Sequence, residues 1–350
     1  MLLTSKNNTE FFKRSASGRF MGIFFIILLF SLFSCTKQNR FSTVDLSNVD
    51  VVPVQIERFD LDFFAIDTTD VTPSIVALRE KYGTFWDLYI RRVIGNRFFS
   101  EEEIIVQFLT DPVVRDFYTD CIAKYTNLSD LEAVFTTAFK YVKYYFPDII
   151  IPDMYAHVSG LQDNILVAEG LMSISLENYL GADYENYQYV FYDYQIPNLR
   201  REKIVSDVVF WWLTTEFPDN IEAPKLLENM IYYGKIMYLT EVFLPGEKEE
   251  NLIGYTSRQL KWCKANEAEM WNYIVENRHL FSTDVLLTAK YINPAPFTSY
   301  FPEESPGRTG IWLGWQIIRS YMDKNQDITL PQLMDNFDVQ GILEKSGYRP

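Results

Sequence analysis

The chain has 350 residues, 48% of them hydrophobic, and carries 32 Lys and Arg against 47 Asp and Glu, a formal net charge of −15. That length and apolar content allow one large domain or two ordinary ones with a substantial core. The acidic balance argues against nucleic acid, or the surface of an anionic bilayer, as an electrostatic partner.

The N-terminus is a secretory signal with an anchor. Lys6, Lys13, Arg14 and Arg19 precede an apolar run over residues 20–33, about 14 residues long where a membrane span needs about 20. The run ends in Leu32-Phe33-Ser34-Cys35, which resembles the lipobox read by lipoprotein signal peptidase. On that resemblance residues 1–34 are removed, and Cys35 becomes the acylated first residue through which the chain meets the lipid bilayer. More than one acyl chain is what stable anchoring requires. No acidic residue follows the cysteine directly, so the expected place is the cell envelope, tethered to the inner or outer membrane and facing the periplasm. Residues 35–50 form a polar tether, and residues 51–350 read as a single globular domain.

In that domain residues 51–59 alternate enough for a short strand, with Pro53 placing it at an edge. Helices are expected at 75–82 after Thr72-Pro73, at 87–95, and at 101–109, where Glu101, Glu102 and Glu103 sit at the end that favours negative charge. Ser129-Asp130-Leu131-Glu132 reads as a capping box opening the apolar stripe Leu131, Val134, Phe135, Ala138, Phe139, Val142 and Phe146. Strands follow at 149–159 and 171–176, read as a sheet edge or hairpin with 160–170 between them. After a tyrosine-rich loop come helices at 201–217, from Pro224 to Pro245, and at 257–278. Residues 305–322 form a helix apolar over most of its girth: Ile311, Trp315, Ile318 and Met322 make one row, Leu313, Ile317 and Tyr321 another. Such a helix is central and covered on several sides, and Gly310 and Gly314 invite close approach of another backbone. The fold class is α+β, predominantly helical with a small β-sheet.

The chemistry-bearing residues are sparse. His157 and His279 are the two histidines, too few for a three-histidine metal site, and neither stands in a His-Glu-x-x-His motif. There is no Asp-x-Asp-x-Asp calcium loop, nucleophile elbow, P-loop or dinucleotide fingerprint. No catalytic residue, metal site or cofactor is expected. Glu169, Glu177 and Asp183 read as solvated loop acids, and Cys121 and Cys263 as buried free thiols more than as a disulfide. Two features are left as candidate ligand or partner contacts. One is the amphipathic tyrosine loop, with Tyr187, Tyr189 and Tyr192 foremost. The other is the pair Arg308 and Arg319 on the polar edge of the central helix.

Several blocks resemble the gliding motility lipoprotein GldB family of Bacteroidetes. They are Arg58-Phe59-Asp60, Glu177-Asn178-Tyr179-Leu180-Gly181, the stretch 229–239, Gln259-Leu260-Lys261-Trp262-Cys263, Asn293-Pro294-Ala295-Pro296-Phe297 and the central helix itself. The resemblance implies a membrane lipoprotein needed for gliding over surfaces, with envelope protein partners in the gliding and secretion machinery, and no enzyme. It also carries a distant likeness to HExxH zinc peptidases. The corresponding helix, at 203–215, has in Asp207-Val208-Val209-Phe210-Trp211-Trp212 apolar groups where ligands would be required, hence a degenerate zincin-like scaffold without its metal site. The alternatives are a glycan- or peptide-binding envelope lipoprotein or a cryptic hydrolase. Gly310 and Gly314 are expected to pack against the helix that contains 230–239.

Overall fold

A computed structural model describes residues 39–95, 98–162, 164–219 and 221–350. The signal segment 1–34 and Cys35 lie outside the described residues. The chain divides into two units, the first ending at Val44 and the second, a compact one, spanning Asp45–Pro350. In the first, Asn39 starts a 3-10 turn over Arg40–Ser42 by accepting a hydrogen bond from the Phe41 amide at 3.1 Å.

The larger unit begins with strand β1 (Ile56–Glu57) and six helices: α1 (Phe59–Phe64), α2 (Thr72–Tyr82), α3 (Thr84–Tyr89), α4 (Glu101–Thr110), α5 (Pro112–Lys124) and α6 (Ser129–Tyr145). Phe59 is the hub of their core, with the rings of Tyr82, Phe85 and Tyr89 at 4.9, 4.9 and 4.7 Å. Edge-to-face pairs of this kind add stability beyond the area they bury. The expected helix at 87–95 is instead the end of α3 continued by a π-helical turn, Ile90–Ile94. The capping box expected at Ser129 does not form. The Ser129 hydroxyl turns back to Asn127, and the Glu132 carboxylate accepts the Ile56 amide at 2.9 Å. A residue suited to cap its own helix instead fixes the edge strand.

Strands β2 (Asp153–His157), β3 (Ile165–Ala168) and β4 (Leu171–Ser175) complete a four-stranded sheet in the order β1-β2-β4-β3. The hairpin expectation fails for β2 and β4, which run parallel with Tyr155 opposite Ser173 and His157 opposite Ser175. The antiparallel hairpin is β3–β4, and its turn uses Gly170 at φ +70°, a conformation glycine adopts without penalty. One face carries Tyr155, stacked on Phe85 at 4.2 Å, and His157, edge-on to Tyr89 at 5.6 Å. Helix α7 (Ile204–Glu216) packs against β3 and β4.

The remaining helices are α8 (Leu226–Phe243), α9 (Glu249–Ile253), α10 (Ser257–Ala265), α11 (Glu267–Glu276), α12 (Val285–Ile292), α13 (Thr309–Lys324), α14 (Leu330–Met334) and α15 (Val339–Ser346). Asn266 interrupts the helix expected over 257–278, taking non-helical dihedrals between α10 and α11. Helix α13 is central: Ile311, Trp312, Leu313, Trp315, Ile317, Ile318, Tyr321 and Met322 are all buried. Its two glycines serve different neighbours. A methyl at Gly314 would lie 1.8 Å from the Met230 carbonyl oxygen of α8, and one at Gly234 would lie 2.4 Å from the Gly314 oxygen. Gly310 faces Tyr291 and Ile292 of α12 instead. The backbones of α8 and α13 therefore touch where no side chain fits between them.

Candidate functional site

The parallel strands β2 and β4 deliver polar side chains to one sealed place. Glu177, in the turn after β4, is fully buried, which corrects the expectation of a solvated loop acid. Its Oε1 accepts from the Ser159 amide at 2.5 Å, the Ser159 hydroxyl at 2.7 Å and the Leu161 amide at 3.1 Å. Gly160 and Leu161 both have positive φ, 73° and 64°. That turn aims its N–H groups at one point, a backbone nest that favours an anion. Burial pushes the Glu177 carboxyl up while these donors pull it back. His157 lies in the same layer, with Nδ1 2.5 Å from the Ser173 hydroxyl, and burial holds it down to about 3. The cluster can hold a protonated or bare carboxylate, but solvent does not reach it.

Chemistry that solvent can reach gathers at a cleft of about 730 Å³ between the tyrosine-rich loop and the chain around α9, lined by Asp193, Asn198, Arg200, Glu202, Asn251 and Tyr255 among others. Arg200 Nη2 donates to Asn251 Oδ1 at 2.6 Å, and Asn198 Nδ2 to the Gly254 carbonyl at 2.9 Å. Next to it Lys203 is buried and donates to the Asn251 carbonyl at 2.7 Å and to Ser206 at 2.9 Å. Its ammonium pairs with Asp207 at 2.6 Å. Burial lowers the Lys203 ammonium, and Asp207 works the other way. This group was not singled out in the sequence, because its members come from an irregular loop and two short helices with no shared period.

The candidate residues separate clearly. Tyr187 lies in the core, where its hydroxyl accepts from the Leu180 amide at 2.7 Å and donates to the Glu177 carbonyl at 2.6 Å. That hydroxyl is engaged within the fold, so surface contact falls to its neighbours. Tyr189 is 80% and Tyr192 71% exposed, and the Tyr192 ring stacks on Tyr194 at 5.8 Å, 9° from parallel. Arg319 is structural: it meets Glu241 at 2.9 Å and Glu249 at 2.5 Å, and lies 3.8 Å over Trp315. Arg308 is half-buried and, unlike Arg319, makes no ion pair among the described residues. Cys121 and Cys263 are both free and buried. Among the described residues no group of three or more His, Cys, Asp or Glu side chains could hold a metal ion, and no helix is long and apolar enough to cross a membrane.

The molecule is thus a helix-rich α+β domain built on a small mixed sheet, with a sealed polar layer and an exposed tyrosine ridge flanking an open cleft. The family model described as gliding motility protein GldB matches residues 39–350, and the chain belongs to that family. Membership ties it to gliding motility, in a family of lipoproteins. No curated protein and no solved structure matches the chain.

Proposed function

We propose that this chain is a lipid-anchored, periplasm-facing component of the envelope apparatus behind gliding motility, and that it acts by docking rather than by catalysis. Family membership across residues 39–350 carries the reading. The Leu32-Phe33-Ser34-Cys35 sequence supplies the anchor at Cys35. The exposed Tyr189 and Tyr192 supply the kind of contact that interfaces favour, large rings with a polar tip. A glycan- or peptide-binding lipoprotein is the second reading. It is favoured by the parallel Tyr192 and Tyr194 rings beside an open polar cleft.

Anchoring is tested by metabolic labelling with a palmitate analogue. The wild-type chain takes up label and Cys35→Ala does not, with gliding lost in the variant. Equal labelling of the two would contradict the assignment.

A further inference from the structure

Docking through the tyrosine ridge gives Arg308 no task, yet its surroundings are specific. Arg308 stands directly before α13 with φ +60°, a left-handed conformation unfavourable for any residue with a Cβ. Of the five guanidinium N–H donors, one, on Nη1, bonds to the Ile253 carbonyl at 3.0 Å, at the C-terminal end of α9. The guanidinium lies 5.5 Å from the centre of the Phe210 ring, and Tyr233 stacks on Phe210 at 6.3 Å and 13°. Among the described residues the other N–H groups of Arg308 have no hydrogen-bond partner, and the side chain is half-buried.

The charge around Arg308 does not balance. The ionisable groups that act on it are Lys203, Asp207, Tyr233 and Tyr255, with Arg200 beyond them. Asp207 is the one acid among them, and both its oxygens are engaged. Oδ1 meets Lys203 at 2.6 Å, and Oδ2 accepts the Tyr179 hydroxyl at 3.2 Å. Arg200 is answered by Glu202 at 3.6 Å. The one carboxylate near Lys203 and Arg308 thus contacts Lys203 alone, and one positive charge is left over in a chain whose net charge is −15.

We infer that Arg308 is the receptor for a carboxylate on a ligand, which pairs with the unbonded donors of the guanidinium while the Phe210 and Tyr233 rings form the wall beside it. A guanidinium fork matches the two oxygens of a carboxylate, and a pair of this kind is strongest where water is partly excluded. A single surplus charge fits a monoanion better than the dianion of a phosphate. The ring wall favours an apolar group next to the acid. Two sources share this chemistry, the free C-terminus of a peptide and a small organic acid. The inference goes beyond the docking role and does not depend on it.

Calorimetry on the full chain in detergent tests it, with benzoate as the probe and benzamide as its uncharged match. Benzoate binds and benzamide does not. An N-acetylated peptide ending in Phe with a free carboxylate, compared with its amide, separates the sources. Tighter binding of that free acid than of benzoate assigns a peptide C-terminus, and equal binding assigns a small acid. Arg308→Gly accepts the left-handed backbone and weakens benzoate by about tenfold or more, while Arg308→Lys, which keeps the charge without the fork, falls between. The inference is overturned if benzoate and benzamide behave alike, if inorganic phosphate binds more tightly than benzoate, or if a folded Arg308→Gly chain binds benzoate as the wild type does. Should Arg308→Gly not fold, the benzoate and benzamide comparison on the wild type still decides.

Discussion

Inside this domain a carboxylate with no cation against it is held by donors from one turn. Glu177→Gln keeps the accepting oxygen for Ser159 and Leu161 and removes a charge that is costly to bury. Its stability at pH 7 is expected to equal that of the wild type or exceed it by about 1 kcal/mol. Glu177→Ala leaves buried donors unsatisfied and costs about 3 kcal/mol or more. The pH dependence has a definite sign. Burial raises the folded-state carboxyl above its ordinary value, so the folded chain holds this proton more tightly than the unfolded one. The contribution is full below the unfolded pKa and is lost as pH rises through the folded one. Urea titrations should therefore show Glu177→Gln gaining on the wild type as pH rises above the ordinary carboxylate range, and a constant difference would refute a buried titrating acid. In the sequence Glu177 looked like any polar loop residue. What buries it is the positive-φ pair at Gly160 and Leu161, which lies across the sheet from it in the chain. Tyr187 and Tyr189 were equally hard to separate, because an irregular loop offers no period from which an inward face could be read.

At the scale of elements, the packing of α8 on α13 rests on missing side chains. Glycine to alanine inside a helix ordinarily stabilises it by about 0.5–1 kcal/mol. At Gly314 the sign reverses, because the new methyl would lie 1.8 Å from a backbone oxygen that cannot rotate away. Gly314→Ala is expected to cost about 3 kcal/mol or more by denaturant midpoint, and a stabilised variant would show that the helices can part freely. This contact was legible in advance, since glycines inside a strongly apolar helix call for a close neighbour. Other elements were not. Helix α5 escaped notice although Asp111 and Pro112 are a good start signal, with Asp111 accepting from the Val113 amide at 2.8 Å. Strand β3 shows no period of its own, because a four-residue edge strand has too little sequence to carry one. The parallel pairing of β2 and β4 is a long-range choice that local alternation does not reveal.

For the molecule as a whole, the helix-rich α+β class with its small sheet followed from periodicity, because a helix-rich chain this apolar has few other ways to cover its core. Family membership ties the chain to gliding, and the proposed docking would act through the exposed Tyr189 and Tyr192. Replacing Tyr189 and Tyr192 by Ser removes two rings that project into solvent and leaves the buried Tyr187 bonds untouched, so folding and cellular level should be unchanged. The decisive measurement is gliding speed on a surface, in cells whose own copy is replaced by Tyr189→Ser/Tyr192→Ser at wild-type abundance. Docking through this ridge predicts that gliding is lost while the lipoprotein persists in the envelope, and gliding at full speed would contradict it.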